Sequence, residues 1–500
     1  MSGKYVLGID QSTQGSKALL FDASGRLAGR CDLPHKQYVN ETGWISHDGT
    51  EIYGNIIRLI PLLVEKAGIR KEEIACVGIS NQRETSIAWD KAGIPAAKAV
   101  VWQCARGACV VDKLKQAGYN DMVRERTGIP LSAYFPAAKI AWLLQNEPKV
   151  KELLAKGSLY AGTVDTYLLY RLTGGAAYKT DYSNASRTQL FNLRELAWDR
   201  EICDLFGIPA DMLPEVCDSN SCFGETDFNG YLDRKIPILA MLGDSHGAFY
   251  GHGCFHRGMV KATYGTGSSV MMNIGQKPAL SRHGLITSVG YAVDGKVDYV
   301  LEGNLNYTGA IIPWLVDSLG IIEAASDTER LMQEANPLDT TYLVPAFSGL
   351  GAPYWVDDAR AGVIGMTRTT GKAELVKAAV DSIAYQVTDV ILSMKEDAGL
   401  EVPLLQTDGG ATKNGCLMQL QADLLGIPVH VPETEEFSGL GAAYLAGITG
   451  GIYEKDRIFH QVPVKEYAPG PAADTAAGRY EGWKAAVRLI TNKEKGRELE

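Results

Sequence analysis

Apolar and polar positions follow two periods along the chain, which predict strands and helices in alternation. Short apolar runs indicate buried strands at residues 5–9, 17–21, 74–80, 99–102, 236–242, 258–264, 270–274 and 403–406. Apolar residues spaced three and four apart predict helices at 51–67, 136–146, 162–172, 373–398, 416–425 and 439–450, and the charged last thirty residues are expected to end in a frayed helix. Alternation of this kind predicts an α/β fold.

The plan of the first strands recurs near the middle of the chain. Residues 5–21 are predicted to form a strand, a small polar turn and a second strand, and residues 258–274 repeat this order around a second glycine-containing turn. We therefore expect two similar domains, over residues 1–250 and 251–500, that face each other across a cleft. Asp244 follows the strand at 236–242 and would lie at the floor of that cleft.

Composition and charge exclude several classes of partner. The 500 residues are 46% hydrophobic and 22% charged, with a net charge of −10 and no run of basic residues, which argues against nucleic acid or an anionic membrane surface. No apolar run approaches the roughly 18 residues of a membrane helix, and the N-terminus passes directly into a strand rather than a signal peptide. The nine scattered cysteines fit reduced thiols without a zinc site, so we expect a cytoplasmic protein.

Three small-residue loops, each beginning where a predicted strand ends, are candidates for phosphate binding. They lie at residues 10–16, 265–269 and 408–410, where glycines let backbone N–H groups approach a polyphosphate and hydroxyls add donors. Each loop alone also fits an ordinary strand connection, and the chain has neither a GxxxxGK[ST] nor a GxGxxG motif. Together the loops suit an ATP cradle shared by two domains. Asp10 is either a ligand of Mg²⁺ or the start of an Asx-turn.

Polar side chains after another strand predict a small-molecule pocket. Residues 81–84 (NQRE) follow the strand at 74–80, at the edge where open α/β sheets bind ligands. Arg83 donates and Glu84 accepts, so the pair suits two neighbouring hydroxyls of a polyol, although a surface salt bridge gives the same pattern. Trp102 is either an apolar wall of that pocket or a core residue. Asp244 alone fits a turn or a helix cap as well as a catalyst.

Two long segments of the chain resemble signature motifs of a known enzyme family. They are YFPAAKIAWLLQN at 134–146 and AGVIGMTRTTGKAELVKAAVD at 361–381, and both resemble the FGGY family of carbohydrate kinases. Further matches resemble the branch of that family that phosphorylates glycerol: GIDQST (8–13), ISNQRET (79–85), VWQC (101–104), GTVDTYLLYRLTGG (162–175), TDYSNASRTQLFN (180–192), TYGTGS (263–268), VPAFSGLGAPYW (344–355) and DGGATKNGCLMQLQADLLG (408–426). The resemblance implies two actin-like, ribonuclease-H-type domains that close on ATP, Mg²⁺ and a small polyol or sugar.

The resemblance also implies roles for individual residues. Asp244 matches the general base that accepts the proton of a substrate hydroxyl, and Asp10 matches the magnesium-site aspartate. The positions that match substrate-holding residues are Arg83, Glu84, Trp102, Tyr134 and Asp244. The positions that match nucleotide- and phosphate-binding residues are Thr13, Gln14, Lys17, Thr266, Gly309, Gly410 and Asn414, with Gln14 and Lys17 standing where threonine and arginine are usual.

Three residues depart from the usual pattern of the glycerol-phosphorylating branch and would lie in the substrate pocket. Ser245 stands where a glutamine is usual, Ser269 where a phenylalanine is usual, and His246 is new beside them. If the backbone is placed as in that branch, the smaller side chains leave room for extra carbons, and the two hydroxyls and the imidazole would bond extra hydroxyls. We therefore expect the acceptor to be a terminal hydroxyl of a four- or five-carbon polyol or ketose, with glycerol itself as the alternative.

Two other classes of protein share part of this pattern. An ATP-driven binding machine of the actin or Hsp70 type would have the nucleotide loops but needs neither the Arg83–Glu84 pair nor a base. A Rossmann dehydrogenase would need the absent GxGxxG motif. A kinase accounts for both the loops and the pocket, so we expect an enzyme whose partner is a small polyol or sugar. The sequence leaves the oligomeric state open, a homodimer included.

Overall fold

Two large sheets carry the residues of the expected cleft. The structure is a computed structural model that describes residues 4–356 and 358–491. Within these ranges, none of the helices combines the length and the apolar character needed to cross a bilayer. Smaller sheets and a set of helices surround the two large sheets.

The first sheet is built around a hairpin near the N-terminus. Its strands are β1 (Tyr5–Gln11), β2 (Gly15–Phe21), β3 (Leu27–Pro34), β4 (Ile74–Asn81), β5 (Gly224–Thr226) and β6 (Ile236–Gly243). Their spatial order is β5–β6–β4–β1–β2–β3, with β1 and β2 antiparallel and with β4 parallel to both β1 and β6. The carboxyl ends of β1, β4 and β6 therefore meet at one edge of the sheet.

The second sheet repeats this plan. Its strands are β7 (Val260–Tyr264), β8 (Ser268–Gly275), β9 (Ile286–Val293), β10 (Lys296–Leu305), β11 (Leu405–Asp408), β12 (Val429–Pro432) and β13 (Val464–Tyr467), in the spatial order β9–β10–β8–β7–β11–β12–β13. β7 and β8 form the hairpin, and β11 runs parallel to β7. The central order β10–β8–β7–β11–β12 corresponds to β3–β2–β1–β4–β6 of the first sheet. The predicted repetition of the opening hairpin is confirmed.

Helices and short strands complete the fold. The main helices are α1 (Gly49–Ala67), α2 (Pro136–Asn146), α3 (Val164–Leu172), α4 (Asp244–Gly251), α5 (Lys372–Ala398), α6 (Gly415–Leu425), α7 (Phe437–Thr449) and α8 (Ala473–Thr491). Shorter helical segments are Lys71–Glu73, Ala108–Gln116, Asn120–Thr127, Pro148–Ala155, Tyr182–Ala185, Arg200–Phe206, Ala210–Met212, Ile311–Pro313, Trp314–Ser318, Asp327–Glu334, Gly410–Lys413 and Lys455–Ile458. A five-stranded sheet joins Tyr38–Val39, Ile45–His47, Ser86–Asp90, Ala99–Val100 and Leu159–Thr163, and two-stranded sheets pair Lys179–Asp181 with Glu215–Cys217, Phe191–Asn192 with Ala197–Trp198, and Tyr342–Val344 with Gly362–Ile364.

Both faces of the first sheet are buried under helices. Successive side chains of a strand point to opposite faces. Leu7 and Ile9 of β1 pack in the apolar cluster that contains α1, whereas Val6 packs in the cluster that contains α7. Burial on both faces explains why β1 and β4 are almost continuously apolar in sequence.

The helix α7 approaches α4 and β4 very closely. A Cβ atom on Gly441 of α7 would overlap the carbonyl oxygen of Gly247 in α4, and a Cβ on Gly78 of β4 would overlap the carbonyl oxygen of Ala442. Only glycine allows backbones to pack at this distance. The segment at 439–450 is thus a helix, as predicted, and its small residues let it pack against other backbones and bring the C-terminal half of the chain onto the first sheet.

The predicted bounds of two helices differ from the bounds that the structure describes. The predicted helix at 162–172 begins only at Val164, because Leu159–Thr163 pairs with Ser86–Asp90 as a strand and holds Thr163 in an extended conformation. The predicted C-terminal helix is present as α8 up to Thr491. The part of that prediction at 492–500 lies outside the described residues.

Candidate active site

The carboxyl ends of three neighbouring strands bring the predicted polar residues together. In the ladder of the first sheet, Asp10 of β1 lies opposite Ser80 of β4, and Asn81 of β4 lies opposite Gly243 of β6. The Ser80 hydroxyl donates a hydrogen bond to Asp10 Oδ1 at 3.2 Å. Asp244 follows β6 directly as the first residue of α4. The segments that carry Asp10, Arg83 and Asp244 therefore share one edge of the sheet.

Asp244 is paired with Arg83 at this edge. Nε of Arg83 donates to Asp244 Oδ1 at 3.1 Å, and the backbone N–H of Ser245 donates to the same oxygen at 2.6 Å. Among the residues that the structure describes, no hydrogen bond reaches Oδ2 of Asp244. The Asp244 side chain is 34% exposed, whereas that of Arg83 is only 5% exposed. Asp244 thus presents a free carboxylate oxygen at the surface of a charged site.

A group of four buried charged residues lies behind Asp244, and we call it the buried charge cluster: Arg83, Glu84, Arg187 and Glu302. Arg83 donates to both carboxylate oxygens of Glu302, at 2.8 Å each. Arg187 Nε donates to Glu84 Oε1 at 2.6 Å, and its Nη1 lies 3.0 Å from Glu302 Oε2, an ion pair without hydrogen-bond alignment. Although burial acts to raise the pKa of Glu302, Arg187 and Arg83 hold that pKa well below its usual range.

Aromatic side chains form a second wall near Arg83 and Glu84. The rings of Trp102 and Tyr134 meet edge to face with their centroids 5.5 Å apart, and Trp102 Nε1 donates to Thr13 Oγ1 at 2.9 Å. Lys139 of α2 is completely buried and donates to the backbone carbonyls of Ala133 and Tyr134. Burial lowers the pKa of Lys139 to about 7. Trp102, Tyr134 and Thr13 are therefore part of one connected surface.

The first hairpin holds Asp10 beside a lysine. Lys17 Nζ lies 3.7 Å from Asp10 Oδ2 and donates to Glu436 Oε2 at 2.8 Å. Burial raises the pKa of Asp10 to about 6; Lys17 acts against this rise, while Glu436 and Asp244 add to it. A nearby cation stabilises the charged form of a carboxylate that is buried among other carboxylates. Gln14, at the tip of the same hairpin, is exposed.

The second sheet contributes two further loops. Backbone N–H groups of Thr308, Gly309 and Ala310 donate to carbonyls of Gly265 and Thr266, so the segment that contains Gly309 packs against the loop at 265–269. A Cβ atom at Gly309 would overlap the Gly265 carbonyl oxygen. Thr266 is exposed at the tip of that loop.

The loop that follows β11 begins next to the end of β7. Asp408 lies opposite Thr263 of β7, and Gly410 follows with open space where a Cβ would be. Asn414 is different, because its side chain caps α6 by accepting from the Leu417 N–H at 2.9 Å and is 8% exposed. The side-chain amide of Asn414 is thus hydrogen-bonded within the protein.

Three of the predicted pocket residues have other surroundings than expected. The His246 ring is completely buried and its two nitrogens have no hydrogen-bond partner among the described residues, so it does not face the cleft. Burial lowers the pKa of His246 well below its usual value, and Arg83 lowers it further. Ser245 Oγ accepts from Arg83 Nη2, and Ser269 Oγ donates to Glu302 Oε1, both at 3.1 Å. The two serines contact the buried charge cluster.

Sequence reasoning did not select Arg187 or Glu302. The available signal for Glu302 was a single charged residue after the apolar run 299–301, since an ionised side chain inside a buried strand needs a partner. Arg187 lies inside the segment at 180–192 that resembles the family, and the resemblance assigned it no role of its own.

Comparison with known proteins explains why two similar sheets face this site. A model of the N-terminal domain of the FGGY family of carbohydrate kinases matches residues 5–251, and a model of the C-terminal domain of that family matches residues 260–450. The chain belongs to the FGGY family of carbohydrate kinases. It is therefore a phosphotransferase that acts on an alcohol group, with the two actin-like domains of FGGY kinases, as the motifs implied.

Individual FGGY kinases are similar over nearly the whole chain. Glycerol kinase of Carboxydothermus hydrogenoformans is 44% identical over 490 residues and that of Geobacillus sp. is 42% identical over 489 residues; each match covers 97% of this chain and 98% of the relative. The crystal structure of Plasmodium falciparum glycerol kinase with ADP is 33% identical, has a TM-score of 0.90, and covers 97% of this chain and 98% of that one. The structure of xylulose kinase from Lactobacillus acidophilus, at 21% identity and a TM-score of 0.87 over 99% of both chains, shares the fold.

Proposed function

We propose that this FGGY kinase transfers the terminal phosphoryl group of ATP to a terminal hydroxyl of glycerol. The observation that carries the proposal is Asp244, a partly exposed carboxylate at the end of β6 and beside the donor Arg83, whose Oδ2 is bonded by no residue that the structure describes. The glycerol kinases at 42% and 44% identity support glycerol as the acceptor. The ADP in the Plasmodium structure supports an adenine nucleotide as the donor.

Phosphoryl transfer depends mainly on positioning and charge stabilisation. Asp244 Oδ2 would accept the proton of the attacking hydroxyl, while Oδ1 stays bonded to Arg83 Nε and the Ser245 N–H. Arg83 and Glu84 would hold neighbouring hydroxyls, and Trp102 and Tyr134 would contact the carbon atoms. A general base of this kind contributes about 10²- to 10⁴-fold to the rate.

The loops fit a nucleotide and a divalent cation. Gly410 leaves open space beside its backbone, and the loop at 265–269 exposes Thr266 and is braced by the segment of Gly309. Among the described residues, no group of three or more His, Cys, Asp or Glu side chains forms a metal site by itself, which agrees with Mg²⁺ held by one carboxylate and phosphate oxygens. Asp10 would hold the ion, which when bound neutralises charge on the β- and γ-phosphates.

The surroundings of residues 245, 246 and 269 weaken the case for a larger acceptor. Ser245 Oγ is bonded to Arg83 and Ser269 Oγ is bonded to Glu302, so both hydroxyls are oriented by the buried charge cluster. The buried His246 cannot supply a partner for extra substrate hydroxyls. The expectation of a pocket enlarged for four or five carbons thus loses one of its three polar groups, and the names of the relatives support glycerol.

We further propose that residues 1–250 and 251–500 act as two domains that close on the substrates. The doubled sheet plan and the position of Asp244 between the sheets support this division. Small-angle scattering should show a smaller radius of gyration with ADP, Mg²⁺ and glycerol than without ligands. An unchanged radius would contradict domain closure.

An ATP-coupled assay with a panel of acceptors tests the substrate. We expect kcat/KM for glycerol to exceed that for each tetritol, pentitol and ketopentose tested. A higher value for any four- or five-carbon acceptor would overturn the assignment of glycerol and restore the larger substrate. Absence of ADP formation with every acceptor would overturn the kinase proposal for this site.

A further inference from the structure

Glu302 occupies the centre of the buried charge cluster although it belongs to the other sheet. It lies on β10, is completely buried, and accepts from Arg83, which follows β4 of the first sheet. Its Oε1 also accepts from Ser269 of β8, and its Oε2 lies 3.0 Å from Arg187 Nη1. One carboxylate therefore joins the two sheets at the position where the substrate is proposed to bind.

Almost all N–H donors of Arg83 already have an acceptor within the protein. A guanidinium has five N–H donors in a planar fork. Glu302 accepts two of them, Ser245 accepts one, and Asp244 accepts the one on Nε. Because both Nη atoms are fixed by Glu302, only the Nε edge of the fork is directed at Asp244. A bidentate contact of this kind fixes the orientation of the guanidinium in addition to attracting it.

Glu302 and Asp244 compete for the same guanidinium. Asp244 is the alternative acceptor for Arg83, since its Oδ1 already accepts from Nε and no described residue bonds to its Oδ2. If Glu302 lost its charge, Arg83 would gain by turning its fork toward Asp244, because a buried cation without its partner is costly. Both Asp244 oxygens would then be paired with Arg83, and the carboxylate would be less available to a substrate hydroxyl.

We propose that Glu302 is a positioning residue for phosphoryl transfer, which holds Arg83 by both Nη atoms so that Oδ2 of Asp244 stays free for the acceptor hydroxyl. Glu302 itself does not reach the substrate, because its side chain has no exposed surface. Arg187 supports this arrangement from the other side by pairing with both Glu302 and Glu84. The inference rests on the proposed function, in which Asp244 is the base.

Glu302→Gln tests the inference, because it keeps the shape of the side chain and removes its charge. We expect kcat/KM for glycerol to fall about ten- to hundredfold, the size of loss that misplacement by about 1 Å produces. KM for ATP should stay within about twofold, because the only residue of the loop at 265–269 that Glu302 contacts is Ser269 at its end, and Glu302 bonds to neither Thr266 nor Gly309. Glu302→Asp restores the charge on a shorter side chain, and we expect it to recover part of the loss.

Asp389→Asn is the matched control. Asp389 is a buried carboxylate of the same half of the chain, but its partners are Tyr480 and Trp483 of α8, away from the site. It should lower stability without changing KM for glycerol or for ATP. Thermal unfolding of all variants gives the folded fraction by which the kinetic constants are corrected.

The outcomes separate this inference from the proposed function. Wild-type turnover of glycerol tests the function; if another polyol is the substrate, the variants are compared with that polyol. After correction for folded fraction, a kcat/KM of Glu302→Gln for glycerol equal to that of the wild type would overturn the inference, and so would a rise in KM for ATP well above twofold. If Glu302→Gln does not fold, Glu302→Asp decides, since wild-type constants in that variant would exclude a positioning role.

Discussion

Arg83 Nε and Asp244 Oδ1 lie 3.1 Å apart, across 161 residues of sequence, at the edge where β4 and β6 end. The contact leaves the second carboxylate oxygen of Asp244 without a hydrogen bond among the described residues. An ion pair that uses only one oxygen leaves the other oxygen able to accept a proton. This geometry is what a general base next to a substrate-binding arginine requires.

Replacing Asp244 by Asn should remove the base and keep the fold. Asn has nearly the same shape, and its Oδ1 can still accept from Arg83, so the unfolding temperature should change little. We expect kcat to fall by about 10²- to 10⁴-fold. Steady-state kinetics with ATP and glycerol measure the change, and calorimetry of ADP binding checks that the nucleotide site is intact. Turnover near the wild-type rate would show that another group is the base.

Replacing Asp10 by Ala should weaken the use of Mg·ATP and spare the polyol. Asp10 lies on the first hairpin beside Lys17 and is bonded to Ser80. We expect KM for Mg·ATP to rise at least tenfold, since a carboxylate ligand of the ion is lost. Asp32→Ala on the neighbouring strand β3 serves as the control and should leave KM unchanged. Lost glycerol affinity with normal Mg·ATP dependence would contradict this role of Asp10.

Replacing the two serines by larger residues should increase the preference for a short acceptor. In the double variant Ser245→Gln with Ser269→Phe, the larger side chains take up space beside the Arg83–Glu302 pair. We expect the ratio of kcat/KM for glycerol to that for a pentitol to increase, because extra carbons would meet the new side chains. Competition assays with both acceptors present measure the ratio directly. An unchanged ratio would indicate that residues 245 and 269 do not border the substrate.

The carboxyl of Asp389 should make stability depend on pH. Burial raises its pKa to about 6, despite the hydrogen bonds from Tyr480 and Trp483. An Asp in the unfolded chain has a pKa of about 3.9. The folded protein therefore binds this proton more tightly, so the contribution of Asp389 to stability is largest below about pH 4 and is lost as the pH rises through about 6.

Urea unfolding of the wild type and of Asp389→Asn isolates this contribution. The variant has no titrating group at this position, so the free energy of unfolding of the wild type relative to the variant should decrease by about 2 kcal/mol between pH 4 and pH 7. Other carboxyls titrate equally in both proteins and cancel. A difference that stays constant over this range would show that Asp389 is not protonated in the folded state near pH 5.

The sequence by itself determined the central strands β1, β2, β4 and β6 of the first sheet and β7, β8 and β11 of the second, the repeated hairpin and the family. These features depend on local patterns, such as the apolar runs that become β1, β4 and β6 and the polar residues that follow them. Parallel strands bring their carboxyl ends to one edge, so Asp10, Arg83 and Asp244 could be expected near each other before any contact was known.

Only the tertiary structure decided which side chains contact one another at that edge. Glu302 reaches Arg83 across 219 residues of sequence, and such a pair leaves no periodic signal in either segment. His246 stands two residues after Asp244, but α4 begins at Asp244, and residues two apart on a helix do not share a face. Its ring is therefore turned into the core, and the two serines bond to buried charges. These outcomes depend on backbone direction and packing across the sheets, which a local pattern does not specify.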